Sequence, residues 1–421
     1  MPDPTVTVLR AKGVLDVDSG VVLEGASVVI EGNRITAVHD DPTVASGADE
    51  VIDLPDLTLV PGLMDMEVDL VLGGPKASLN DPVRMDPVKM GLRAVFNGQR
   101  TLNAGFTTVR NLGLFIKTGG YLVDVDLAHA IDAGWVQGPR VIPAGHAICP
   151  TGGHLDPSAQ GGYAPGIMRM SVEEGIADGV DEVRKAVRYQ ITNGAKLIKC
   201  CASGGVMTPT GPPGAQQYST EELTAIADEA HRRGLRVATH AHGDTAVNAA
   251  IDAGIDCIEH GMMIGDDTIQ RLVDTDTFLV STCALTENWD ISEQPKSLQA
   301  KAADVFPKAK ASLTKAIEAG VKVALGTDAP AIWHGRNAEE LEVLVRRGMT
   351  PIQAIRSATT VAADLIDMDS LGRIAPDKLA DIIGVAGDPL SEIATFRSVP
   401  FVMKDGAVIK NRGPRAASAR S

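Results

Sequence analysis

The 421-residue sequence contains no apolar run approaching the roughly 18 residues that a membrane-spanning helix needs. Its start, MPDPTVTVLRAKG, lacks the basic segment and following apolar stretch of a secretory leader, so a cytoplasmic protein is expected. Basic charge is in deficit: 39 Lys and Arg face 54 Asp and Glu, giving a net charge of −15. With no basic tract to relieve it, that balance disfavours nucleic acid and anionic membrane as partners. Cysteine is sparse. Cys149, Cys200, Cys201, Cys257 and Cys283 form no Cys-x-x-Cys pair, which argues against a zinc ribbon and for reduced thiols. No low-complexity tract or internal repeat is present, so a solenoid is excluded.

What is present is a 44% apolar chain long enough for one large domain and a smaller one. The first segment alternates apolar and polar residues, as in Thr5-Val6-Thr7-Val8-Leu9 and Ala26-Ser27-Val28-Val29-Ile30, and turns at Gly32-Asn33. Short strands with Gly-Asn turns predict antiparallel β structure. The same style resumes at Ala380 to Val385 and at Pro400 to Ile409. Residues 1–58 and 372–421 are therefore expected to build one β-sandwich, with 59–371 inserted between them and a frayed tail from Gly413 to Ser421.

Within 59–371 the rhythm becomes strand, amphipathic helix, strand. Ser219-Thr220-Glu221-Glu222 has capping-box spacing and opens a helix with Leu223, Ile226, Ala227 and Ala230 on one stripe. Apolar strands recur at Leu197–Cys200, Val237–His240, Cys257–His260, Phe278–Ser281 and Val323–Asp328. About eight such units predict an α/β fold, a (β/α)8 TIM-like barrel.

One stretch concentrates charge in this apolar setting. Leu59 to Leu70 reads LVPGLMDMEVDL, and strand alternation puts Asp65, Glu67 and Asp69 on one face. Buried carboxylates cost several kcal/mol each unless paired or metal-bound, so this face is expected to meet cations. Lys199, His240, His260 and Asp328 close other apolar strands, and such strand ends converge on one face of a barrel. A lone strand-end His or Asp is usually structural; several together point to a site.

These residues carry a resemblance. The entry LVPGLMDM, Gly105-Phe106-Thr107-Thr108-Val109-Arg110, Thr151-Gly152-Gly153-His154, Leu197-Ile198-Lys199, Thr239-His240-Ala241-His242-Gly243, Ile258-Glu259-His260-Gly261 and Leu325-Gly326-Thr327-Asp328-Ala329 follow in order. The chain resembles the metal-dependent amidohydrolase superfamily, in its imidazolonepropionase-like and prolidase-like branch. The resemblance implies that His240 and His260 hold the more exposed metal and that Lys199 is carboxylated. It further implies that Asp328 binds metal and moves the proton of the attacking water, and that His154 and His334 line the substrate pocket. His154 is also a candidate to stabilise the oxyanion. His242 either points into that pocket or is packed away from it. Arg336 is a candidate cation for substrate.

Two positions depart from the family pattern. The usual His-x-His is replaced by Glu67-Val68-Asp69, and Asn111 stands where Val-Arg-Asp normally continues. Three outcomes are open. One metal, expected to be zinc, remains on His240 and His260; this is the leading expectation, and relatives acting on phenylurea and thiocarbamate herbicides also look altered here. Alternatively, Glu67 and Asp69 bind a harder ion such as manganese or magnesium. Otherwise, an uncarboxylated Lys199 neutralises the acids and little metal is bound. The expected activity is hydrolysis of an amide, carbamoyl or related C–N bond in a small molecule, such as an N-acyl amino acid, dipeptide or urea. A non-catalytic binder or a lyase or isomerase on the same barrel is the alternative, and the partners expected are a small-molecule substrate and further copies of the chain.

Overall fold

The computed structural model describes residues 5–45, 47–74, 85–160, 164, 167–208, 211–292 and 294–412. The expected frayed tail from Gly413 lies outside them. By internal contacts the chain divides into two compact units. One comprises Met1–Asp65, Gln99–Thr108 and Gly335–Ser421, and the other Met66–Gly98 and Val109–His334. Helices Glu339–Arg346, Pro351–Ser357 and Thr360–Leu365 thus group with the terminal strands, whereas the sequence pattern alone assigns them to the barrel.

In the first unit, both chain ends share one eight-stranded sheet. Strand Ser27–Glu31 returns as Arg34–His39 through Gly32, whose φ of +61° is the left-handed backbone a tight hairpin requires. Strand Glu50–Pro61 pairs antiparallel with Ile382–Ala386, so the first and last segments close on each other. Not every pairing is antiparallel, as the short alternating strands had suggested: Val6–Asp16 lies parallel to Glu50–Pro61. The reason is that Val21–Glu24, Ser27–Glu31 and Arg34–His39 intervene, which gives the chain length for a crossover. Leu9, Val28, Ile35, Leu59, Ile382 and Phe401 belong to the core of this sheet.

The (β/α)8 barrel is built from two arcs. Leu63–Val68, Phe106–Asn111 and Arg140–Pro143 form a three-stranded arc. Ile198–Cys201, Val237–Ala241, Cys257–His260, Phe278–Ser281 and Val323–Leu325 form a parallel five-stranded one. Single parallel bridges, Ile148 to Cys200 and Val68 to Ala329, join them. The strands are buried on both faces, which is why they read as nearly unbroken apolar runs. Between them the expected helix forms at Thr220–His231, with Ser219 and Glu222 exchanging the hydrogen bonds of a capping box and Leu223, Ile226, Ala227 and Ala230 buried. Among the described residues no helix is long and apolar enough to cross a membrane.

Asn111 has a structural explanation. Its Oδ1 accepts the Leu70 N–H at 2.8 Å, and its Nδ2 faces Asp124 Oδ2 at 3.5 Å. Burial pushes the Asp124 carboxyl up to about 6. An aspartate at 111 would set a second carboxylate against it. Asn111→Asp is therefore expected to cost about 1–3 kcal/mol of stability above roughly pH 6. The loss should shrink as pH falls: carboxyls whose folded pKa is raised keep a proton that the unfolded chain has released, so stability declines as pH rises through the folded value. Urea unfolding at about pH 5 and pH 8 checks this, and a pH-independent difference would contradict it.

Candidate active site

Parallel register sets the site residues side by side. Lys199 lies opposite Ala238, His240 opposite both Cys201 and Glu259, and Ala241 opposite His260. The strand ends open into a cavity of about 230 Å³ lined by Glu67, Asp69, His154, Lys199, His240, His242, His260 and Asp328, together with an apolar wall. His260 and Asp328 adopt φ of +72° and +53°, a backbone region that non-glycine residues rarely occupy. The Asp328 N–H donates to the Glu67 carbonyl at 2.8 Å, tying the last barrel strand to the first.

Four imidazoles crowd the mouth. His154 stacks on His240 with ring centres 3.9 Å apart, and His242 and His260 meet His240 edge-on at 4.5 and 4.7 Å. They are neutral. Burial is the main cause, followed by the neighbouring imidazoles and Lys199, and it pushes His154 down to about 3 and His240 and His260 well below the usual range. Burial and then Lys199 bring His242 to about 3. The Glu67 Oε1 atom sits 3.4 Å from Lys199 Nζ and 3.4 Å from His260 Nε2. Burial lowers Lys199, but attraction to Glu67 and Glu259 outweighs it and holds the side chain as an ammonium.

The three carboxylates of the first strand do not share one fate. Glu67 meets a cation. Asp65 instead accepts the Asn337 amide at 2.7 Å, and Asp69 Oδ1 accepts the Val71 and Leu72 N–H groups at 2.8 and 3.2 Å. The expectation that the whole face meets cations is corrected at Asp69, where backbone N–H groups take the place of a cation at Oδ1. Asp69 Oδ2 is buried without a hydrogen-bond partner, and burial raises this carboxyl to about 7. His242 is one of the lining residues, which resolves its two alternatives. His334 is not; it is buried with Nε2 3.1 Å from the Asp69 carbonyl. Arg336 also is not a lining residue: it belongs to the other compact unit, and its guanidinium is engaged by Glu339. Cys200 and Cys201 are buried and do not line the cavity.

Several positioning residues carry no signal in the sequence beyond the motifs that contain them. Arg110 donates through Nε to the Met66 carbonyl and through Nη2 to Glu259 Oε1, both at 2.7 Å. It thereby clamps the residues immediately preceding Glu67 and His260. Thr208 Oγ1 lies 2.7 Å from His154 Nδ1, and Thr282 Oγ1 lies 2.8 Å from His260 Nδ1. Thr208 Oγ1 also accepts the Gly205 N–H at 2.7 Å, which fixes the hydroxyl against the His154 ring. Gly205 must be glycine, since a Cβ there would lie 2.7 Å from His154 Cε1 and 2.8 Å from His240 Nε2.

With this geometry established, the likeness to known proteins becomes informative. The amidohydrolase family pattern matches residues 58–409. The chain belongs to the amidohydrolase family. This amidohydrolase is 33% identical to ochratoxinase of Aspergillus niger, over 97% of this chain and 87% of that protein. It superposes on the crystal structure of a Xaa-Pro dipeptidase with bound methionine at a TM-score of 0.90, with 35% identity, covering 97% of this chain and 100% of that one. It is 24% identical to imidazolonepropionase of Streptomyces griseus subsp. griseus, over 90% of each. It is an amidohydrolase enzyme, of a kind that hydrolyses C–N bonds, and the family is in general metal-dependent.

The donor chemistry allows a metal on the histidine side. His240 Nε2 and His242 Nδ1 are buried without hydrogen-bond partners, and neutral imidazole is a good donor to zinc. Among the described residues, no three of His, Cys, Asp and Glu are already set around one point as a closed metal site requires. A carbamate on Lys199 fits poorly, since it would replace the ammonium that faces Glu67 with a further anion.

Two variants test these assignments. Arg110→Met is expected to cost about 3–5 kcal/mol by stranding the buried Glu259 carboxylate, with partial recovery in the Arg110→Met/Glu259→Met double variant. Denaturant unfolding reads both, and equal stability of the single variant and the parent would contradict the clamp. Gly205→Ala is expected to lower kcat/KM by about 10²-fold through displaced imidazoles, and an unaltered value would show that their positions do not matter.

Proposed function

We propose that the protein hydrolyses an amide, carbamoyl or related C–N bond of a small molecule, with one divalent ion held by His240, His260 and Asp328. The observation that carries this reading is the gathering of neutral, buried imidazoles beside Asp328 in a cavity at the strand ends. A nitrogen-rich donor set favours zinc over manganese. When bound, the ion supplies Lewis acidity to a carbonyl oxygen.

The remaining work falls to the chain. Asp328 accepts a proton from the attacking water and returns it to the departing nitrogen. His154 donates from Nε2 to the developing oxyanion, from a ring held by Thr208 at Nδ1 and by stacking on His240. Lys199 opposes the effect of burial on the Glu67 carboxyl, and Thr282 orients the His260 ring at Nδ1, which leaves Nε2 to hold the ion. The strained backbones of His260 and Asp328 are held by these contacts, so the groups are preorganised.

A screen of N-acyl amino acids, dipeptides, ureas and cyclic amides with added zinc or manganese tests the proposal. Turnover that chelation abolishes is expected, with a loss of about 10³-fold or more in Asp328→Asn. Turnover unaffected by that substitution would remove Asp328 from its role. No turnover of any substrate would favour the binding-protein reading, for which the Lys199–Glu67 ion pair is the supporting observation.

A further inference from the structure

The described residues that line the cavity include few basic side chains for a site that would take amino-acid derivatives. Phe115, Met207, Met262, Leu285 and Phe306 line it, and the cation among the described lining residues is Lys199, buried to 2% exposure and facing Glu67 at 3.4 Å. Lys301 is carried by the helix that supplies Phe306, but its ammonium is spent on the carbonyls of Thr208 and Gly211. Two neutral polar side chains interrupt the wall. Gln294 lines it, and so does Trp289, whose Nε1–H is buried without an acceptor. An indole N–H in that state is a single directed donor on an apolar surface, suited to a neutral oxygen and not to the full solvation of a carboxylate.

We infer that the site selects uncharged, apolar acyl-nitrogen compounds, such as aryl or alkyl amides and carbamates, that present a neutral oxygen to Trp289, and that it discriminates against substrates with a free carboxylate. This deepens the hydrolase reading above and rests on it for turnover, but not for binding. The physical cause is desolvation: a carboxylate drawn against the described apolar residues gives up water without gaining a counter-charge from them, whereas its primary amide gives up far less. Trp289 sits just beyond helix Ala284–Asn288, whose Leu285 also lines the cavity, so one short element supplies both the apolar surface and the donor.

The experiment compares pairs that differ only in that charge: N-acetyl-L-phenylalanine against its C-terminal primary amide, and 4-acetamidobenzoate against 4-acetamidobenzamide. kcat/KM is expected to be at least about tenfold higher for the neutral member of each pair. Trp289→Phe, which keeps the apolar ring and removes the N–H, should raise KM for the neutral member more than it lowers kcat. Equal or inverted preference would overturn the inference. Binding of the same four compounds, read by tryptophan fluorescence with Trp289→Phe as the control, separates the two claims. Tighter binding of the neutral members without turnover would support the pocket chemistry while removing the hydrolase. Tighter binding of the anions, or no binding of any compound at millimolar concentration, would overturn it.

Discussion

A single buried carboxylate sets the terms for this site. Glu67 is 5% exposed and lies 3.4 Å from both the Lys199 ammonium and the His260 imidazole. Burial pushes its carboxyl well above the usual range even though Lys199, the principal opposing influence, draws it down. Glu259 and Asp328 add further negative charge nearby, and Arg110 answers part of it. The centre is therefore a compact balance of acids and two cations beneath neutral histidines. Removing either cation leaves an uncompensated carboxylate in a poorly solvated place.

Much of the architecture was legible from the chain. The capping box at Ser219, the regular recurrence of apolar strands, and the return of β structure near Ala380 each follow from short-range chemistry, and each forms as expected. The parallel pairing of Val6–Asp16 with Glu50–Pro61 was not legible, because alternation fixes which face a residue takes and says nothing about which strand it meets. The placement of three helices with the terminal strands was hidden for a similar reason: it depends on which apolar faces find each other.

The site was legible at the level of residue identity and less so at the level of role. Lys199, His240, His260 and Asp328 could be named because each ends an apolar strand, and strand ends share a barrel face. Arg336 had no such anchor, and nothing local distinguishes a surface arginine paired to Glu339 from one that meets a ligand. His334 shows the same limit, since its partner is a main-chain carbonyl more than 200 residues away in sequence. The first strand was informative and incomplete: Asp65 and Glu67 lie in a buried strand and Asp69 just beyond it, and backbone N–H groups rather than a cation meet Asp69 Oδ1 while an ammonium faces Glu67. Arg110, Gly205 and Thr208 act through their neighbours, and only coordinates reveal whom they hold.

Glu67 and Asp69 stand where the resemblance leads one to expect two imidazoles. Lys199 is engaged by Glu67, and in the proposed function the histidine side holds one ion. Elemental analysis of protein saturated with zinc and dialysed, read together with its intact mass under native conditions, tests this most directly. The account predicts one ion per chain and no added mass on Lys199. Two ions per chain with the mass of one bound carbon dioxide would contradict it.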